Sequence, residues 1–336
     1  MAGKSLVSLK VASGQWAWRT KFVKKHIYIY SPSGAVRDKA AFKRGIVQLE
    51  SMGHEVEIDQ DALTSFQRFA GDDQTRTAAI HRAAASGADV ALMSRGGYGI
   101  TRILDRIQYE SLQKAIEKGT SFVGHSDFTA LQLALLAKTR SRTWAGPHLC
   151  GDFGVASVPS DKTRDLPDDI MLDCFSDFLQ QQGEGTGWRQ PPRAGADLTL
   201  KNLENSLLWG GNLTVLTSML GTPFFPAIER GILFLEDVGE HPYRVERMLT
   251  QLLHSGVLQA QQAIIFGQFT GFELTSHDRG FKLRSVIDWL RQQLNIPVVT
   301  NLPFGHVPTK VMLPVGAKVD LVLEGRDALV LWGDHD

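Results

Sequence analysis

A serine at a sharp corner, a histidine in a stiffened loop and a carboxylate at a strand end could together perform nucleophilic chemistry without a cofactor. This sequence of 336 residues offers a candidate for each. In TSFVGHSDFTALQLALL (120–136) a short apolar strand, Phe122-Val123, runs into Gly124-His125-Ser126-Asp127, and an apolar helix follows at once. A nucleophilic serine needs such an exposed turn, and the helix behind it aims backbone N–H groups at a developing oxyanion. The hydrolase pattern G-x-S-x-G is half met, because Phe128 stands where the second glycine belongs. On local pattern alone Ser126 or Asp127 can equally be a helix cap.

The remaining parts of such a site lie far away in the chain. SRGGYG (94–99) has adjacent glycines that permit close backbone approach, so a Gly96 or Gly97 amide can face the serine corner. It lacks the Lys of a phosphate loop and the spacing of a dinucleotide fingerprint, and a plain tight turn is the alternative. LPFGHVP (302–308) places His306 between Pro303 and Pro308, in a loop that can hold an imidazole still. GILFLEDVGEHPYRVERML (231–249) ends an apolar strand in Glu236-Asp237, either of which can orient that imidazole or cap the next helix. Two decoys fall away. Ser111-Leu-Gln-Lys114 fits S-x-x-K but lacks the K-T-G and S-D-N partners, and GEGTGWRQPP reads as a loop.

The elements that must position these residues alternate. HIYIY, HEVEI, DVALMS and SFVG read as strands; AAFKRGIVQLESMG, TRTAAIHRAAASG, TRILDRI and FTALQLALLAKT read as helices. The alternation predicts a parallel sheet covered on both faces, whose ligands sit beyond the carboxyl ends of the strands. SPSG (31–34), SRGGYG and GHSD all fall at such ends. Residues 156–205, rich in Gly, Pro and charge around the amphipathic IMLDCFSDFLQ, read as a linker region. Beyond it GILFLED, AIIFGQF, IPVVTN, KVDLVLEG and ALVLWG predict a second, strand-rich α/β unit over 206–336, with helices at PYRVERMLTQLLHSG and KLRSVIDWLRQQL. The expected organisation is thus an extension over 1–25, a nucleophile unit over 26–155, the linker, and the second unit.

Composition limits the partners. Lys+Arg and Asp+Glu are both 36, so net charge gives no reason to expect nucleic acid or an anionic membrane. No apolar run approaches the ~18 residues of a bilayer span, and the basic first 25 residues lack the core of a secretory signal. Cys150 and Cys174 are the only cysteines, at a spacing that fits no metal motif; a reducing compartment, the cytoplasm, is expected, with no transition-metal site.

Taken together, SPSG (31–34), SRGGYG (94–99), GHSDFTAL (124–131), AGPH (145–148), LWGGNLTVLTSMLGTP (208–223), LFLEDVGEHPYRVERMLTQL (233–252) and NLPFGHV (301–307) resemble the LD-carboxypeptidase family of serine peptidases. That family also holds the microcin C self-immunity peptidases. The motifs stand in the family's order and cover most of residues 26–320. The resemblance implies a Rossmann-like N-terminal domain with a C-terminal swivelling domain. It implies a Ser126-His306-Glu236 triad, an oxyanion hole from the Gly97 and Asp127 amides, no cofactor, and a homodimer acting on murein tetrapeptide. Arg95, Tyr98, Trp209, Asn212, Glu240, Arg247 and also Arg244 are candidates for substrate contact. A microcin-type reading would need an aromatic side chain to stack on a base, and the 183–192 loop offers only Trp188. Residues 1–25 match no family motif, and a Cys that some members carry near GQFTGF is missing here.

Overall fold

The computed structural model describes residues 23–156, 167–192 and 202–333. The expected extension over 1–25 therefore lies almost wholly outside the described residues. In chain order the elements are β1 (His26–Tyr30), α1 (Lys39–Ser51), β2 (Glu55–Ile58), α2 (Asp73–Ala85), β3 (Val90–Met93), α3 (Tyr109–Glu117), β4 (Ser121–Gly124), α4 (Thr129–Thr139) and β5 (Thr143–Ala145). Then come α5 (Asp169–Leu179), β6 (Gly185–Arg189), β7 (Leu203–Asn212), α6 (Leu213–Ser218), β8 (Ile232–Val238), α7 (Pro242–His254) and β9 (Ala263–Thr270). The chain closes with α8 (Leu283–Gln293), β10 (Val298–Val299), β11 (Leu313–Val315), β12 (Lys318–Glu324) and β13 (Asp327–Leu331).

The first sheet has the order β11-β5-β4-β3-β1-β2 and is parallel except at β11. Chain order reverses between β1 and β3, so the turns after these strands flank the crevice where such sheets bind ligands. The turns touch: Gly34 N donates to Gly96 O at 3.3 Å. The second sheet, β10-β9-β8-β7-β12-β13-β6, is parallel from β10 to β7 and antiparallel beyond. This is the α/β architecture expected from the alternation of strands and helices.

Helix signals follow the sequence. Asp38 and Asp72 accept from the N–H groups of Ala41 and Thr75, each at 2.8 Å, capping α1 and α2. Pro242 opens α7, where its missing N–H costs nothing. α4 is apolar on every side, with all residues from Thr129 to Leu136 buried. A helix of that kind must be covered all round, and α4 packs against α3, α6 and β7. It thereby carries the core of the first unit into the second. Each fully buried leucine there contributes about 1.5–3 kcal/mol.

Three local expectations are corrected. Residues 185–189, read as loop, form edge strand β6, paired with β13. TRILDRI forms two short 3₁₀ turns instead of a helix. IMLDCFSDFLQ is a helix as expected, but it packs Met171, Phe175 and Leu179 into the core beneath the first sheet with Ile27, Leu149 and Phe153. A further crossing appears at β11, which comes from the C-terminal part of the chain yet pairs with β5 in the first sheet. Among the described residues no helix is long and apolar enough to cross a membrane.

Candidate active site

Ser126 sits between β4 and α4 with φ +64, a left-handed conformation that costs a non-glycine residue roughly 1–2 kcal/mol. The turn is held from below. Asp127, 2 % exposed, accepts from Ser33 Oγ at 2.5 Å and from Ile100 N at 3.0 Å. Its carboxylate thus ties the turns after β1 and β3 to the serine corner. Burial pushes that carboxyl above its ordinary range, although the Ser33 and Ile100 donors and the Arg76 charge pull the other way. Arg76 is fully buried nearby; its Nη1 donates to Gly99 O at 2.7 Å and its Nη2 to Asp73 Oδ1 at 2.6 Å. Gly96 lines the serine so closely that a Cβ there would lie 2.7 Å from Ser126 Oγ and 3.7 Å from Asp127 N.

Across from this corner, the parallel strands of the second sheet deliver the other groups. The β7–β8 register sets Asn212 opposite Glu236, and Asn212 Nδ2 donates to Glu236 Oε1 at 3.1 Å and to Asp237 Oδ1 at 3.0 Å. Between Leu235 and Asp237 the β8–β9 register shifts, an irregularity of the kind that re-aims side chains at sites. Glu236, with no exposed surface, contacts His306 Nδ1 through Oε2 at 2.8 Å. A carboxylate only accepts, so Nδ1 carries the proton and Nε2 is left as the basic nitrogen. Burial works against a charged His306, but the Glu236 hydrogen bond and charge outweigh it, and the pKa ends above the ordinary imidazole value. Gly305, at φ +136, permits the loop to approach: a Cβ there would stand 2.9 Å from Gln268 O and 3.1 Å from Glu236 Oε2.

Contacts close to the serine corner join the halves. Asn212 N donates to Thr129 Oγ1 at 3.0 Å, in the first turn of α4. The ring of His125, next to Ser126, meets the His306 ring edge-on at 5.2 Å between centroids. His125 donates Nδ1–H to Gly146 O at 2.9 Å and stacks on His148 at 4.6 Å. Burial holds His125 well below the ordinary imidazole range and His148 down at about 4. A cavity of about 410 Å³ opens beside this group, lined by His125, His148, Asp168, His306, Pro308 and Lys310. A hollow of about 490 Å³ near Asp89, Ser121 and Arg142 lies at the amino ends of the first sheet's strands, remote from these groups.

His125, His148 and Asp152 bring one donor atom each within 4.8 Å of one another. Several of their atoms are already engaged. His148 Nδ1 accepts from Gly151 N, Asp152 Oδ2 accepts from His148 N, and Lys310 Nζ sits 2.6 Å from Asp152 Oδ1. An ammonium in contact with the only carboxylate of the set opposes a cation there, so the residues do not fit a metal centre.

Of the substrate-contact candidates, two are corrected. Trp209 has no exposed surface; it packs on Phe225 and donates Nε1–H to Gln261 Oε1 at 2.9 Å, as a core residue. Asn212 is buried and fully engaged, with Oδ1 capping α6 through Val215 N, so it orients Glu236 and lines no pocket. Glu240 is ion-paired with Arg244 one turn along, and Arg247 is exposed on α7; the structure brings neither to the other site residues. Arg95 is half-buried with Nη1 donating to Ala35 O at 2.9 Å, and burial, Arg37 and Arg68 hold its pKa down. Tyr98 is exposed beside Phe69. Gly97 faces the Ser33-Gly34 turn, where a Cβ would lie 3.2 Å from Gly34 Cα. Sequence reasoning missed His125, His148, Asp152, Lys310 and Arg76. AGPH, which contains His148, carries a signal only as one of a set of family-like motifs; nothing in local spacing marks the rest.

A serine corner and a buried His–Glu pair at the strand ends of two α/β units are the parts that a serine peptidase uses. Residues 27–146 match the LD-carboxypeptidase N-terminal domain and residues 205–321 its C-terminal domain. The crystal structure of muramoyltetrapeptide carboxypeptidase from Oxalobacter formigenes is 38% identical, covers 92% of this chain and 99% of its own, and superposes with a TM-score of 0.80. The murein tetrapeptide carboxypeptidase of Pseudomonas aeruginosa is 29% identical over 83% of this chain and 87% of its own. The microcin C7 self-immunity protein of Escherichia coli is 25% identical over 88% of this chain and 90% of its own. This chain belongs to the LD-carboxypeptidase family and is a serine-type carboxypeptidase.

Proposed function

We propose that this enzyme removes the terminal D-alanine from murein tetrapeptide by cleaving its amide to the L-centre of the diamino acid. The observation that carries the reading is the buried Glu236–His306 hydrogen bond of 2.8 Å, beside the strained corner at Ser126. His306 Nε2 takes the Ser126 proton, Oγ attacks the carbonyl carbon, and Glu236 stabilises the imidazolium that results. The Gly97 and Asp127 amides receive the oxyanion. The imidazolium returns its proton to the departing amine, D-alanine leaves, and a water activated by the same imidazole releases the tripeptide. The reading extends to a cytoplasmic homodimer in peptidoglycan recycling, with Arg95 as the cation in the serine unit available to a terminal carboxylate.

The similarity to the microcin self-immunity protein supports a second reading, hydrolysis of a peptidyl-nucleotide or acyl-sulfamoyl adenylate. Trp188, its candidate stacking residue, is buried with Nε1–H donating to Thr300 O at 2.9 Å, which weighs against it. Hydrolysis of murein tetrapeptide and of a processed microcin, measured side by side, separates the two. D-Alanine release with no turnover of the nucleotide supports the murein reading; the reverse result overturns it.

A further inference from the structure

Lys310 is 2 % exposed, and a lysine with no exposed charge requires a reason. Its Nζ donates to Asp152 Oδ1 and to Val307 O, each at 2.6 Å. Val307 follows His306 directly. Asp152 lies in the single π-helical turn after β5 (Leu149–Phe153), whose Cys150 N donates to Ser94 O at 2.9 Å, at the carboxyl end of β3. The other Asp152 oxygen accepts from His148 N at 2.7 Å, and the His148 ring stacks on His125 beside Ser126. These contacts close a circuit from the His306 loop through Lys310, Asp152, His148 and His125 back to the edge of the His306 ring. A second tie runs parallel to it, Thr309 Oγ1 donating to Asp168 Oδ2 at 2.7 Å at the start of α5.

We propose that the Lys310–Asp152 ion pair is a positioning device that fastens the loop carrying His306 to the unit carrying Ser126. The proposal rests on the reading of His306 as the base. The two parts of the chain contribute one charge each, so the buried pair forms only when the loop is seated. A buried pair is a poor source of stability compared with an apolar contact, but removing one partner strands the other. That asymmetry makes it a registering contact more than a glue. The pair also faces the base electrostatically. The groups around His306 are Glu236 and Asp237 from β8, Lys310 from its own loop, and His125 and His148 from the serine unit. Lys310 pulls the His306 pKa down, and the Asp152 charge paired with it should offset that pull.

The test uses the full-length protein and a fluorophosphonate probe that labels the serine, so it needs no assumption about the natural substrate. Lys310→Met is expected to slow labelling about 10- to 100-fold and to move the rising limb of its pH profile to higher pH. Asp152→Asn is expected to move the limb to lower pH. The double variant Lys310→Met/Asp152→Asn strands no charge and should return the limb to the wild-type position, with labelling still slower because the loop is unfastened. Lys310→Arg should recover part of the rate. Opposite limb shifts that cancel in the double variant support the proposal. Unshifted profiles, shifts in one direction, or wild-type rates in folded variants overturn it. If Lys310→Met does not fold, the double variant and Asp152→Asn carry the comparison. Failure of Ser126→Ala to abolish labelling would instead remove the underlying reading of the serine, a separate outcome.

Discussion

Asn212 and Glu236 stand opposite one another on neighbouring parallel strands, and the asparagine amide spans both Glu236 and Asp237. Two adjacent carboxylates, both buried, repel each other, and burial with the Glu236 charge raises the Asp237 pKa. One amide donating to both relieves that conflict and fixes which Glu236 oxygen is left for His306. Asn212→Ala should therefore destabilise the fold by about 2–4 kcal/mol, from a lost helix cap and an orphaned carboxylate oxygen. Urea denaturation of the variant beside wild type measures this. Asn212→Asp adds a third carboxylate to the cluster and should be worse in both stability and kcat.

Glu236→Gln keeps the shape of the hydrogen bond to His306 and removes the charge that, in the proposed mechanism, stabilises the imidazolium. A fall in kcat of roughly 10³–10⁴-fold is expected, with KM little changed. The folded His306 pKa lies above its unfolded value. The Glu236 interaction thus stabilises the fold fully below an unfolded pKa of about 6.5 and loses that contribution as pH rises through the raised folded value. The stability gap between wild type and Glu236→Gln should accordingly be larger at pH 5.5 than at pH 8.5. A gap that is constant, or that widens with pH, contradicts this electrostatic assignment.

How much of this was legible in the sequence differs from residue to residue. The candidates Ser126, His306 and the Glu236-Asp237 pair stand out because each ends an apolar strand or sits in a Pro- and Gly-framed loop, and such signals are local, although the choice of Glu236 over Asp237 comes from the family resemblance. β6 was not, because GTGWR becomes a strand only by pairing with β13, some 140 residues later in the chain. Trp209 misled because its strand-end segment, LWGGN, gives no sign of which face meets the core. The Asp152–Lys310 pair spans 158 residues, and neither member has a telling neighbour. For Asp127 the local pattern offers a helix cap or an oxyanion N–H, and nothing near it in sequence says that Ser33 and Ile100 converge on its carboxylate.

Gly96→Ala tests how tightly the serine corner is shaped. Its Cβ would fall 2.7 Å from Ser126 Oγ and 2.8 Å from Ser126 Cβ. Overpacking of this kind costs about 1–3 kcal/mol, and here the displaced atom is the proposed nucleophile. Labelling by a fluorophosphonate should drop at least 100-fold while far-UV circular dichroism stays unchanged. Wild-type labelling would mean that the turn after β3 does not confine the serine.

The left-handed Ser126 backbone should be visible in stability. Ser126→Gly relieves the conformational cost and Ser126→Ala keeps it, so the glycine variant should exceed the alanine variant by about 1 kcal/mol in chemical denaturation. Equal stabilities would indicate that the corner is not strained.

The most direct measurement is D-alanine release from purified murein tetrapeptide by wild type and Ser126→Ala, with both proteins shown to be folded. Wild type should release D-alanine stoichiometrically and the variant should lose at least about 10³-fold in rate, in line with removal of a triad nucleophile. Release by Ser126→Ala at the wild-type rate would mean that Ser126, activated by His306 and Glu236, is not the nucleophile.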